Sequence, residues 1–460
     1  MIHFYHKTLL LLRNAMRADS LRILFLFSVC QGICFQISAM PDFYYGQKGN
    51  DDFTEEAIIN FEDPLVKSLC VANWDTNGDS ELSYGEARAV EDIGKIFYKT
   101  DITTFDELQY FSGLTTIPEW AFSNCRQLRS ILLPETVREI RDNAFTYASA
   151  LEAFHIPAAV ESIGEAVFAG ATNIQKLTLD IDNTHFMLQD DVLYQGIPAE
   201  TLVYCPPYKN GTVKLPSSVW DITGNAFYLC EKVTAIELNE GLVIMGDGAF
   251  QGCNALETLT LPASLENIGE GCFYCLNLKA IYVTEGNEVY QSIDGVLYLF
   301  DGNELIYYPP AREGASYDVL DGTGFIMSYS CYANHLEEVT LPASTKWIGD
   351  YALGLCEQLK VVRCMATEPP LLASTAFKDS NPTAVLYVPN EAIKAYQESP
   401  WAQAFPNILP VGIVDVNVKS VLNTEYYTLD GRRTSAPRKG LHIIRRADGL
   451  SKKALIQSTH

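Results

Sequence analysis

The chain has 460 residues, 48% of them hydrophobic and 20% charged, and carries a formal net charge of −24. That length is too great for one ordinary core and fits two or three domains or a repeat array. Its 25 Tyr and 22 Phe exclude a disordered polymer, and the acid excess excludes a binder of nucleic-acid backbones, which needs clustered Lys and Arg. Twelve Cys over this length do not make a small disulfide scaffold.

Residues 1–39 carry Lys7, Arg13, Arg17 and Arg22 against Asp19 alone, a net +3. Arg17 and Arg22 flank the apolar run Ile23-Leu-Phe-Leu-Phe-Ser-Val-Cys30, and Ser38-Ala39 follow it, the pattern of a secretory signal peptide with Met16 as a natural start. The run falls short of the roughly 20 residues that span a bilayer, so a transmembrane anchor is disfavoured. Cys30 and Cys34 lack the small residue expected before a lipidated Cys. No later segment is apolar enough to span. The expectation is export to the cell surface, outer membrane or medium.

Residues 40–100 read as a helical cap. Asp63-Pro64 suits a helix start, and Asp75-Thr-Asn77-Gly-Asp79-Ser80-Glu81-Leu82-Ser83-Tyr-Gly-Glu86 matches a calcium loop of the EF-hand type. Oxygen donors fall at loop positions 1, 3, 5 and 12 (Asp75, Asn77, Asp79, Glu86), with the Glu81 carbonyl at 7 and Ser83 at 9 through water. Ser83-x-x-Glu86 also has the form of a capping box. Ser80 stands where such loops carry Gly for a turn with positive φ, which weakens the site without abolishing it. A structural Ca2+ bracing the end of the repeats is the expectation, against an acidic cap that binds nothing.

Over residues 101–410 an L-x-x-L-x-L pattern begins at Leu128, Leu151, Ile174, Val233, Leu256, Leu278, Leu336 and Leu359. The steps are 23, 23, 59, 23, 22, 58 and 23, so eight coils of about 23 residues are interrupted twice. Phe122, Phe145 and Phe168 form a column continued by Phe227, Phe250 and Phe273; Cys125, Ala148, Ala171, Cys230, Cys253 and Cys356 form another. The pattern predicts a solenoid: a short parallel strand per coil, Pro134, Pro157, Pro262 and Pro342 ending four of them, and a helical or 3₁₀ return at the Ala-Phe segment. One coil buries too little to fold alone, so neighbours must share faces. The Cys column reads as packing. Cys272-x-x-Cys275 has zinc-like spacing but no second pair, and Cys275 falls on the same column.

The two interruptions resemble each other: Asp190-Asp-Val-Leu-Tyr194 with Leu202-Val-Tyr-Cys-Pro-Pro207, and Asp294-Gly-Val-Leu-Tyr298 with Leu305-Ile-Tyr-Tyr-Pro-Pro310. Each predicts a β-hairpin at the solenoid edge. Tyr194, Tyr204, Tyr298, Tyr307 and Tyr308 are either a binding surface or cover for the solenoid's flank, with cover favoured. Leu320 to Leu336 departs from the repeat, with Ser330 where Phe is expected, so an irregular coil is anticipated there.

The coil L-x-x-I-x-L-P-x-x-V-x-x-I-G-x-x-A-F-x-x-C, seen from Leu256 to Phe273, resembles the BspA-like leucine-rich repeats typical of surface proteins of Bacteroidetes. The resemblance spans the hairpins and the closing Tyr387-Val-Pro…Tyr396…Trp401 element. It implies an α/β leucine-rich-repeat solenoid and extracellular adhesion, with a host or bacterial protein or a glycan as partner. From Val414 the chain carries nine basic against four acidic residues, and Tyr426-Tyr-Thr-Leu-Asp-Gly431…Pro437-Arg-Lys-Gly440 is similar to small β modules that end many secreted Bacteroidetes proteins. Residues 411–460 are therefore expected to form a β-rich, sorting-like module.

No enzyme is expected. His155, His185, His335, His442 and His460 are far apart, and neither H-E-x-x-H nor G-x-S-x-G occurs. Gly246-Asp-Gly248 and Gly269-Glu-Gly271 fall at repeat turns rather than before a phosphate-binding helix. Two functions remain: a surface binding protein, or a calcium-stabilised component of the envelope without a soluble ligand.

Overall fold

The computed structural model describes residues 54–411, together with the backbone of four later strands. The leader pattern lies outside the described residues. Two short helices, Pro64–Trp74 and Tyr84–Arg88, open the described chain. Asp63 caps the first, with Pro64 in its first turn, and Ser83 with Glu86 forms the full capping box of the second, as the spacing predicts.

A β-solenoid of about 13 turns follows, about 23 residues per coil. Parallel strand pairs of one kind recur along the coils in separate short sheets, among them Ala153–Ile156 with Lys176–Leu179, Val233–Glu237 with Gly211–Lys214, Thr258–Leu261 with Ala280–Val283 and Glu338–Leu341 with Val361–Cys364. A second ladder, of two-residue strands, runs through Thr116–Ile117, Glu139–Ile140 and Ser162–Ile163, and resumes beyond each interruption. In both, residue i faces its counterpart one coil away, so Phe154 lies beside Leu177 and Ile117 beside Ile140. The Phe column stacks: Phe122 and Phe145 are 5.2 Å apart at 10°, Phe145 and Phe168 6.0 Å apart at 14°. Phe97, in the cap, begins the stack at 5.4 Å from Phe122. The thiols of Cys125, Cys230, Cys253, Cys275 and Cys356 each donate to a carbonyl of the preceding coil at 2.9–3.2 Å.

Of the helical or 3₁₀ return anticipated at the Ala-Phe segment, the coils form single 3₁₀-type turns rather than a continuous helix: the Ala144, Thr146 and Ala148 N–H bond back three residues, to Arg141, Asn143 and Phe145 O. The return is also a third ladder of turns, in which the residues two before the Phe column, at it, and two after it donate to the next coil. Asn143 bonds Glu165, Phe145 bonds Val167 and Tyr147 bonds Ala169; Asn225, Phe227 and Leu229 bond Asp247, Ala249 and Gln251. The flanking positions take positive φ: Asn143 and Tyr147, Asn225 and Leu229, Gly248 and Gly252. Alternate N–H groups thus close turns within the coil while those between them bond the neighbour, which interrupts any continuous helix; Asn and Gly are the residues that take the required φ at least strain.

The interruptions also differ from expectation. Each is a three-stranded antiparallel meander, Phe186–Gln189, Val192–Gln195 and Thr201–Tyr204 in the first, and its last strand enters the second ladder beside Asp221–Ile222. Each stretch also holds a further coil strand, Gly211–Lys214 and Ser316–Asp318. The outermost strands, Phe186–Gln189 and Tyr290–Ile293, are the edges of their sheets, as expected, whereas the inner strands of each meander are buried between stacks of coils. Leu193, Val203 and Tyr204 pack into the core before, Val192, Tyr194 and Leu202 into the core after, so the long core is three consecutive clusters. Burial on both faces accounts for the unbroken apolar runs. Tyr194, Tyr204, Tyr298, Tyr307 and Tyr308 are all buried, in agreement with their role as cover. The anticipated irregular coil forms, with Cys331 rather than Ser330 in the Phe column, its N–H bonded to Ala352 O.

Beyond residue 411, strands Glu425–Tyr427, Arg433–Thr434, Gly440–Arg445 and Ser451–Ile456 form a four-stranded antiparallel sheet.

Candidate functional site

Two places on the described chain carry unused surface chemistry: the loop joining the first two helices, and the outer edge of the return turns. In the loop, Asp75 Oδ1 and Oδ2 accept from the Gly78 and Ser80 N–H at 2.7 and 2.9 Å, Asn77 Oδ1 from the Asp79 N–H at 2.8 Å, and Asp79 Oδ1 from the Glu81 N–H at 2.9 Å. Ser80 takes φ +66, the left-handed turn that calcium loops give to Gly. Its departure from the pattern therefore adds strain without changing the path of the loop. The Ile59 N–H and Leu82 O, 2.9 Å apart, hold the loop's strand against the entering chain.

Glu86 reaches over the loop. Its Oε1 accepts from Thr76 N–H and hydroxyl at 2.7 and 2.9 Å and from Asn77 N–H at 3.2 Å, while Oε2 accepts from Ser83 N–H and hydroxyl at 2.9 Å. Burial raises its pKa, but these donors outweigh it and bring the carboxyl down to about 2. Glu81 turns its side chain away to Lys67, 2.6 Å distant, which leaves its carbonyl as the loop donor. The oxygens of Asp75, Asn77, Asp79 and Glu86 are thus all engaged by the loop's own N–H groups. Among the described residues, no three His, Cys, Asp or Glu side chains already stand in metal-holding geometry. To bind an ion, Glu86 would have to exchange protein donors for it.

The second place is aromatic, and the sequence reading did not find it. Tyr147 and Tyr228 hydroxyls are 3.1 Å apart although 81 residues separate them, because the first meander intervenes. Gly170 lies beneath the Tyr147 ring, where a Cβ would stand 2.4 Å from Cδ1. Farther on, Tyr274, Tyr329, Tyr332 and Tyr351 form one group. Tyr329 and Tyr351 stack at 5.3 Å and 10°, and Tyr332 meets Tyr274 at 5.1 Å, Tyr329 at 5.5 Å and Tyr351 at 6.1 Å. Tyr329 is 37% exposed. Lys378 Nζ lies 3.1 Å from Tyr351 Oη and 5.4 Å over its ring. The signal was tyrosines two before or one after the Phe column, hidden because the column was set at Ser330 instead of Cys331.

The histidines do not form a shared site in the ladder: His155 Nδ1 is 3.0 Å from Thr178 Oγ1 on the adjacent strand, and His335 is exposed. Cys272 and Cys275 are buried, with Cys275 donating to Phe250 O as part of the packing column. Nearer the cap an open groove of about 370 Å³ is lined by charges of both signs, Glu91, Glu119, Lys95 and Arg141 among them. No helix of the described residues is long and apolar enough to cross a membrane.

Among solved structures, a leucine-rich cell surface protein of Faecalibacterium prausnitzii is similar at 22% identity and TM-score 0.41, over 65% of this chain and 83% of its own. A leucine-rich repeat protein of Bacteroides ovatus is similar at 19% identity and TM-score 0.33, over 73% and 89%. One from Eubacterium ventriosum aligns at 16% identity and TM-score 0.36, over 60% and 74%. No curated protein matches. Six copies of the BspA type leucine rich repeat region match residues 91–195, 195–294 and 324–401, more than half of the sequence. The chain belongs to the BspA type leucine-rich-repeat family.

Proposed function

We propose that this chain is an exported surface protein that binds a macromolecular partner, a protein or a glycan, through the open edges of its solenoid. The observation that carries the reading is the continuous stack of coils, which presents side chains in register one coil apart; leucine-rich-repeat solenoids are typically non-catalytic scaffolds for protein contacts. The basic, apolar leader pattern supports export. A structural Ca2+ held by Asp75, Asn77, Asp79, the Glu81 carbonyl and Glu86 would brace the cap, supported by the Ser80 turn and the loop spacing of these donors.

The test is retention of the full chain on arrays of matrix proteins and glycans. Specific, saturable retention supports the reading. Absence across broad arrays would leave a calcium-braced envelope component instead.

A further inference from the structure

Resting on that reading, we propose that the tyrosine group at Tyr274, Tyr329, Tyr332 and Tyr351 receives a basic, arginine- or lysine-bearing segment of a partner protein. The first argument is construction. Tyr329 and Tyr351 hold φ +58 and +51 at the position where other coils place Asn143, Asn225, Gly248 and Gly271, and two more place Trp120 and Ala166. A bulky aromatic there is strained, and two successive coils carry one. Gly354 floors the group, where a Cβ would stand 3.0 Å from Tyr351 Cδ1 and 3.2 Å from Tyr332 Cδ2, so a larger residue would push the rings apart.

The second argument is charge. Burial raises the Tyr329 hydroxyl's pKa, and Tyr351, Asp350 and Glu270 nearby raise it further; Asp379 acts likewise on Tyr332. Asp350, Glu270 and Asp379 thus act on these rings, opposed by Lys378 beside Tyr351, on a chain of net charge −24. Ring faces beside carboxylates attract cations, guanidinium above all. Rings elsewhere on this chain already do so: Arg363 lies 4.9 Å over Tyr387, and Lys99 4.8 Å over Tyr98.

The probe is a short peptide alternating Arg and Ser, with a citrulline counterpart as the uncharged control, titrated into the full chain at low and physiological salt. Saturable binding of the Arg peptide, weakened by salt and about tenfold weaker for the citrulline form, is expected. Tyr329→Asn with Tyr351→Asn installs the residue other coils use at that position, so the fold should hold while binding falls about tenfold. Glu270→Lys, a surface charge reversal, should weaken it independently. Equal binding by all variants, or no binding of the Arg peptide, overturns the inference. Array retention with no Arg-peptide binding overturns it and leaves the wider reading standing; a glycan signal lost in the Asn variant assigns the patch to sugar instead. Silence on arrays and peptide alike removes both.

Discussion

The side-chain amide nitrogen of Asn183 lies 3.0 Å from the Pro157 carbonyl oxygen, and the same nitrogen is 3.0 Å from Val160 O. Its Oδ1 accepts from the His185 and Phe186 N–H at 2.9 Å. One buried side chain therefore ties the start of the first meander to the coil before it. Asn287 repeats the arrangement at the second meander, donating to Pro262 and Leu265 and accepting from Val289 and Tyr290.

Removing either amide strands buried backbone donors and acceptors at once. Asn183→Ala and Asn287→Ala should each destabilise the solenoid by about 3 kcal/mol, and Asn→Asp should not rescue, since a carboxylate cannot donate. Denaturant unfolding measures the loss. Hydrogen exchange should show faster opening at Phe186–Gln189 or Tyr290–Ile293; protection unchanged there would reject the role.

The columns of Leu, Phe and Cys were legible because each recurs at a fixed period and faces the core, so the solenoid followed from arithmetic. The Asn clips were not. Asn183 and Asn287 are single polar residues 104 positions apart, and nothing local marks them as buried. The extra coil strands at Gly211–Lys214 and Ser316–Asp318 keep only inward residues such as Val213, too few to register as a repeat. The 3₁₀-type turns of the return were legible from its Ala-Phe segment, but their interruption by left-handed residues was not, although Asn143, Asn225 and Gly248 in a fixed column were the signal for it. In the candidate calcium loop the donors were legible from spacing. The competing ties of Glu86 were not, since they depend on how the loop folds back on Thr76.

Asp63 joins the cap to the first coil. Its Oδ1 accepts from the Leu65 N–H at 2.7 Å while Oδ2 accepts from the Thr103 N–H at 2.5 Å and hydroxyl at 2.8 Å. Burial raises its pKa, but these donors outweigh it and hold the carboxyl below its ordinary 3.8. The unfolded chain thus takes up this proton first, and the stabilisation, full above 3.8, declines as pH falls below it. Asp63→Ala should cost about 2 kcal/mol at pH 7 and flatten that acid limb. An unaltered slope below pH 3.8 would show that other carboxyls govern it.

Glu107 has the opposite sign. Its Oε1 accepts from the Glu62 N–H at 2.8 Å, but Oε2 is buried without a hydrogen-bond partner among the described residues. Burial pushes the pKa above its ordinary 4.5, so the folded state holds the proton more tightly and ionisation on raising the pH past 4.5 costs stability. Glu107→Gln should therefore stabilise by about 1 kcal/mol at pH 7 and make no difference below pH 4. Thermal melts of the two chains across pH decide it; curves that stay parallel would place the carboxylate in water.

The calcium loop sets two demands on Glu86. Without an ion its five protein donors hold it ionised, the pKa near 2 leaving it charged at any pH above acid denaturation. An ion would replace some of those donors, and because the loop's other oxygens are already turned by Gly78, Ser80 and Glu81 N–H groups, most of the ordering is complete beforehand. Calcium should therefore raise Tm by an amount that grows with concentration, following binding to the folded state alone. Asp75→Ala should remove the shift and also lower Tm without calcium, since Gly78 and Ser80 lose their acceptor. Ser80→Gly should keep the shift and strengthen it, by relieving a strained φ of +66. If Tm is indifferent to calcium in all three proteins and calorimetry detects no heat, the loop is held by its own hydrogen bonds and binds no ion.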